Sequence, residues 1–293
     1  MTYGITPPKR SYPPEKQAEV AARQTARIAR LPIDALVVYD LQDESERTDQ
    51  ARPFPYLECV DPTDYALGAL AELTVPPVVY RCVAPLGADA LADSLLRVDA
   101  AGGLSVLVGP ASRAQAPGLR LADAYALRRA HAPDLPVGGV LIAERHQRTL
   151  AEDERALAKL AAGCSFFISQ SVYSVAATKD LLSDLWYRCQ AREVPFPPVL
   201  VTLSPCGSLR TLDFMRWLGV AVPRWFENDL RHSHDILGAS LKVCVDLFAD
   251  LHDFAATRGI PLGCNVESVS LHRAEIDASV ELLGAVAAIL GRR

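Results

Sequence analysis

The stretch VGGVLIAERHQRTLAEDERALAKLAAGCSFFISQ, residues 137–170, decides how the chain is read. It opens on an apolar run at 137–143, passes through an amphipathic segment at 150–162 and closes on a second apolar run, CSFFIS, at 164–169. Continuous apolar runs suit strands buried on both faces, and two of them joined by a helix make a parallel βαβ unit.

The alternation extends in both directions. Upstream, strands are expected at 2–6, 35–40, 77–82 and 104–109, with helices at about 14–31, 62–73, 87–99 and 119–132. Downstream, a helix at 175–193 leads to a strand at 198–203. Further helices follow at about 207–218 and 223–258, then a strand at 260–266 and a last helix at about 272–291. Eight strands separated by helices predict an α/β protein, a single-domain (β/α)8 or TIM barrel over residues 1–293. An open doubly wound sheet is the structural alternative, and the lack of a GxGxxG after the first strand weakens it.

Composition narrows the function. With 293 residues, 50% of them hydrophobic, the chain can bury a large core, and a net charge of −5 with both signs interspersed argues against a nucleic-acid partner. No apolar run reaches the roughly 18 residues of a membrane span, and the opening MTYGITPPKR has no signal-peptide core, so a cytoplasmic protein without a membrane partner is expected. The seven cysteines include no CxxC pair and several sit inside apolar runs, which reads as reduced, buried thiols. No HExxH and no His/Asp/Glu cluster points to a metal, and no GxSxG marks a serine nucleophile.

In such barrels the reacting groups lie at the C-terminal ends of the strands. That rule nominates Lys9 after the first strand, Asp40, Gln42, Asp43 and Glu44 after the second, and Arg81 on the third. Glu144, Arg145 and His146 follow the fifth, Ser169 and Gln170 end the sixth, Ser204 and Cys206 follow the seventh, and Asn265 and Glu267 end the eighth. The acid-rich loop at 40–56 is a further candidate because of its length. Gln170 stands out, since an amide ending an apolar strand must find hydrogen-bond partners and a ligand can supply them. Lys159, near the end of its helix, reads from the residues alone as a cation favoured by the helix dipole.

Several of these segments together resemble the methylenetetrahydrofolate reductase family. Residues 150–174 match its helix with a Lys (Lys159), its A-G-A turn (Ala162-Gly163-Cys164) and its Thr-Gln pair (Ser169-Gln170). The stretch VGGVLIAERHQR is similar to the strand that ends in Pro-Glu-x-His, with Glu144 and His146 in place and Ala143 for the Pro. YGITPPK at 3–9 resembles the first strand, and LHRAE at 271–275 the segment after the last. The resemblance covers nearly the whole chain and implies a barrel that binds a folate through Gln170, with Lys159, Arg273, His146 and Lys9 at or beside that site.

The departures fall together. The family's general-acid Glu is Gly4 here, its Gly-Asp is Gly109-Pro110, and three further flavin-contacting positions are Tyr39, Val79 and Val108. A buried cofactor's polar groups need partners, so FAD is expected to be absent. The resemblance therefore implies reduction of 5,10-methylenetetrahydrofolate to 5-methyltetrahydrofolate by hydride taken directly from NADH or NADPH, a step of one-carbon metabolism toward methionine. Glu144, Asp40 and Glu44 are the candidates for the displaced acid. A non-catalytic or regulatory folate-binding barrel, a flavin-dependent reductase with a rearranged FAD site, and a barrel lyase or methyltransferase acting on a folate or corrinoid are the alternatives. The oligomeric state does not follow from the sequence.

Overall fold

The computed structural model describes residues 1–44, 49–110 and 118–292. Eight parallel strands run in chain order around one closed barrel. This is the (β/α)8 architecture expected from the alternation of apolar runs.

The chain groups into two compact units, residues 2–139 with 162–165, and Met1 with 140–161 and 166–293. The first carries β1 (Thr2–Ile5), α1 (Pro14–Ile28), β2 (Ala35–Val38), α2 (Pro62–Asp64), β3 (Pro77–Cys82), α3 (Ala88–Ala100), β4 (Leu104–Val108) and α4 (Leu121–His131). It ends in β5 (Val137–Leu141), whose last two residues belong to the second unit. The second unit continues with α5 (Ala143–Thr149), α6 (Glu152–Ala161), β6 (Phe166–Ser171), α7 (Val175–Ala191) and β7 (Val199–Leu203). It closes with α8 (Leu209–Trp217), α9 (Arg224–His232), α10 (Ile236–Ala256), β8 (Leu262–Glu267) and α11 (Arg273–Ile289).

Burial explains why the strands carry uninterrupted apolar runs. Every residue of β2 is buried, and Phe167 and Ile168 of β6 and Val201 and Leu203 of β7 have no exposed surface. Pairing is in register from Thr2 opposite Ala35 to Ile5 opposite Val38, and from Val199 opposite Leu262 to Leu203 opposite Val266. Helix starts follow ordinary capping chemistry: Ser174, Ser208 and Asp235 each accept an N–H from the residue three further on, while Pro14 opens α1.

Three local features differ from the sequence expectation. The helix expected at 62–73 is only α2 followed by a π turn at Tyr65–Ala69, in which the Leu70 N–H reaches back to the Tyr65 carbonyl. The helix expected at 223–258 is two, because Asp235 caps the start of α10 and its own backbone N–H donates to the Ser233 hydroxyl oxygen. Ala143, expected to end the strand, and residues 144–149, expected as loop, form α5. Part of the acidic loop after β2, residues 45–48, lies outside the described residues.

Candidate functional site

The C-terminal end of β6 is shaped by a β-bulge. Ile168 pairs with Leu200 and Ser171 with Thr202, so β6 uses three residue steps where β7 uses two. Thr202 fixes the irregularity, its N–H bonding the Ser169 hydroxyl at 2.9 Å and its hydroxyl bonding the Ser169 carbonyl at 2.7 Å. Bulges re-aim the side chains beside them and recur near active sites. Here the re-aimed residue is Gln170.

Gln170 uses half of its amide. Its Nε2 donates to the Leu218 carbonyl at 2.7 Å, while its Oε1 is buried with no hydrogen-bond partner. A buried acceptor left unpaired is costly, so this oxygen is suited to receive a donor from a ligand. Leu218 is the C-cap of α8, and the chain then turns through Gly219 at φ 84°, a left-handed conformation that a Cβ would penalise. Two residues on, the Ala221 N–H bonds Glu144 Oε1 at 3.2 Å. Gln170 and Glu144, both singled out in the sequence, thus hold the same short segment, 218–221.

Glu144 lies in the first turn of α5 and is 8% exposed. Burial raises its pKa above the ordinary carboxylate value, opposed by its hydrogen bonds to backbone N–H groups and by the charge of Arg148. Such a carboxyl keeps its proton to higher pH than one in water, as a general acid requires.

The rest of α5 is anchored by its neighbours. Fully buried Glu152 accepts the Ile142 N–H at 3.3 Å and pairs with Arg145 at 3.2 Å. His146, 1% exposed, bonds Asp184 of α7 through Nε2 at 2.9 Å, and its Nδ1 lies 3.7 Å from buried Asp153 of α6. Leu150 ends the helix at φ 46° with its N–H on the His146 carbonyl. The imidazole of His146 therefore ties α5 to α7.

Lys159 and Arg273 are nominated by the resemblance. Lys159 Nζ donates to the Val140 carbonyl at 2.6 Å and sits 5.8 Å from the centre of the Phe167 ring. The Arg273 side chain is 95% exposed and 3.5 Å from Asp277, one turn further along α11.

In the other unit, Asp40 follows β2 and accepts the Cys82 N–H at 2.8 Å and the Gln42 amide at 2.6 Å. Burial raises its pKa; the Cys82 N–H, Arg81 and Gln42 work against the rise. Arg81, 3% exposed, is itself paired to Asp61 at 2.7 Å. Glu44 is half-buried in the loop beyond. Lys9 lies 5.4 Å from the Tyr12 ring centre and is bridged to Cys59. Among the described residues no group of three or more His, Cys, Asp or Glu side chains is placed to hold a metal. No helix among them is long and apolar enough to cross a membrane.

Sequence reasoning did not find the 218–221 segment, because its contribution is a backbone carbonyl and a backbone N–H. Gly219 directly after an apolar helix end was the one local signal.

No protein-family model matches the chain, and no curated protein matches it. Among solved structures, an uncharacterized protein from Clostridium thermocellum that binds two copies of 5-methyl-5,6,7,8-tetrahydrofolic acid is 41% identical to it. The TM-score is 0.85, over 99% of this chain and 94% of the clostridial one. The chain belongs to the family of that protein. A dihydropteroate synthase from Xanthomonas albilineans has 18% identity and a TM-score of 0.42 over 99% of this chain and 92% of its own. A 2,3-dimethylmalate lyase has 13% identity and a TM-score of 0.42 over 97% and 89%. At such scores neither adds to what the clostridial protein shows.

Proposed function

We propose that the chain binds a reduced folate and reduces 5,10-methylenetetrahydrofolate to 5-methyltetrahydrofolate with hydride taken directly from NADH or NADPH. The observation that carries this reading is the ligand of the clostridial family member, which is the product of that reaction. Gln170 supports it with a buried acceptor awaiting a donor, and Glu144 with a buried carboxyl biased toward its protonated form.

The chemistry balances without an intermediate carrier. A proton delivered to N10 opens the five-membered ring and leaves an N5-iminium. Hydride from the dihydronicotinamide adds to the methylene carbon, giving the N5-methyl group and the oxidised nucleotide. The chain's own tasks are to orient the two reactants and to give up one proton, which its carboxyl regains from water. Glu144 is the favoured donor; Asp40, half-buried with its pKa also raised, is the second choice, and Glu44 the third. The flavin-free reading is supported by the positions where the resembling family contacts FAD: Val79, Val108 and Pro110 offer no side-chain polar atom, and Tyr39 offers only its phenol hydroxyl.

A thermal-shift titration tests the binding. A ligand specific for the native state adds about 2.7 kcal/mol of stability at a hundred times its Kd. 5-Methyltetrahydrofolate is expected to raise the melting temperature, FAD to leave it unchanged, and Gln170→Ala to weaken the folate effect by about 1–3 kcal/mol in affinity with an unaltered far-UV circular dichroism spectrum. A clear rise with micromolar FAD would overturn the flavin-free assignment. Equal folate affinity in Gln170→Ala would reduce Gln170 to a clamp on Leu218.

A further inference from the structure

Helix α8 ends in a turn closed by two backbone bonds. The Gly219 N–H donates to the Arg216 carbonyl at 2.8 Å, and the Val220 N–H donates to the Met215 carbonyl at 3.0 Å. This pair is the Schellman termination, whose glycine position is left-handed, and Gly219 at φ 84° meets that requirement. Met215 and Val220, joined by the second bond, are both buried, which fixes the turn against the interior. The termination decides which backbone groups remain for other partners. The Leu218 carbonyl accepts from Gln170 Nε2 at 2.7 Å, and the first N–H beyond the turn, on Ala221, donates to Glu144 at 3.2 Å.

The bond to Leu218 settles a choice that Gln170 does not make alone. A side-chain amide has a donor end and an acceptor end of nearly equal shape, and its terminal torsion is soft. A carbonyl only accepts, so Nε2 must face Leu218 and Oε1 must face away from it. Half-buried Gln170 therefore meets a folate with an acceptor and selects ligands that place an N–H there. With the turn relaxed, the amide is free to swing and to offer its NH₂ group instead. We propose that Gly219 is a positioning residue for folate recognition: its left-handed turn holds the Leu218 carbonyl, which keeps the Gln170 amide oxygen toward the ligand. This rests on the folate-binding reading and places the preference for a ligand N–H in a backbone turn rather than in a further side chain.

The test is isothermal titration calorimetry with 5-methyltetrahydrofolate. Gly219→Ala puts a Cβ on a left-handed residue and is expected to weaken binding by about 5- to 30-fold. Gly219→Asn, whose side chain enters this region more readily, is expected to stay within about 3-fold of wild type. In a Gln170→Ala background the Gly219→Ala loss should shrink below about 2-fold, because the two residues act through one contact. Gln170→Glu, measured at pH 8, leaves the turn intact and keeps an acceptor for the ligand, but sets a carboxylate against the Leu218 carbonyl. A loss of about 10-fold or more is expected. Wild-type affinity in a folded Gly219→Ala or in Gln170→Glu would overturn the assignment while leaving folate binding intact. So would a Gly219→Ala loss of the same size without the Gln170 amide. Should Gly219→Ala fail to fold, Gln170→Glu decides alone. Failure of the wild-type chain to bind 5-methyltetrahydrofolate would instead overturn the folate reading and this assignment with it.

Discussion

Glu144→Gln is expected to lower folate-dependent turnover by about 10²–10⁴-fold while folate still binds, the usual contribution of a positioned general acid. The substitution keeps the side chain's shape and an acceptor for the Ala221 N–H, and removes only the ionisable proton. Asp40→Asn is the parallel experiment in the other unit, where Cys82 and Gln42 hold the carboxyl. Whichever variant loses turnover on that scale identifies the donor. If both keep near-normal rates, the proton comes from Glu44 or from water.

The direction of the Glu144 shift adds a second readout. Its folded pKa lies above the ordinary value of 4.5, and burial is the main cause. The folded state therefore binds the proton more tightly than the unfolded chain. Glu144's contribution to stability is fully present below the unfolded pKa and is lost as pH rises through the folded one. Glu144→Gln should remove that dependence, so the variant's stability relative to wild type rises across this window in urea melts. An acid that must be protonated to act also predicts that wild-type kcat/KM falls as pH rises through the same folded pKa.

Phe167→Ala is the substitution expected to damage the fold most among those near the site. Phe167 has no exposed surface, sits on β6 three residues before Gln170, and carries the Lys159 ammonium 5.8 Å from its ring centre. Truncating a buried Phe removes its transfer free energy and leaves a cavity in a close-packed interior, a cost of about 3–5 kcal/mol. The urea midpoint should fall accordingly with little change in m. Folate affinity should fall too, because Gln170 and Ser171 share that strand. A loss below about 1 kcal/mol would show that β6 is not supported through this ring.

What the sequence disclosed follows from the range of the interactions involved. Strands buried on both faces must be apolar throughout, so runs such as ALVV at 35–38 were legible without any partner in view. The helix α5 was not, because AERHQRT has no apolar stripe. It is held by Glu152 and Asp184, which reach it from α6 and α7. The break between α9 and α10 was marked by HSHD at 232–235 but masked by apolar periodicity on both sides.

Site residues show the same division. Gln170, Glu144 and Asp40 could be nominated from their positions at strand ends, but their bonds to Leu218, Ala221 and Cys82 are backbone contacts over long sequence separations. Arg273 and Lys159 were brought in by resemblance alone. One is almost wholly exposed and the other is spent on a strand carbonyl.

The most direct measurement of a flavin-free reductase is the oxidation of NADH or NADPH by purified protein supplied with 5,10-methylenetetrahydrofolate. Nucleotide absorbance at 340 nm (about 6 × 10³ M⁻¹cm⁻¹) and 5-methyltetrahydrofolate are followed together, and turnover is expected in the ordinary range of about 1–10³ s⁻¹. One mole of 5-methyltetrahydrofolate should form per mole of nucleotide oxidised, with no dependence on added FAD and no visible flavin band. Tight binding of 5-methyltetrahydrofolate without oxidation of either nucleotide would contradict it, and would make the chain a folate-binding barrel that performs no reduction.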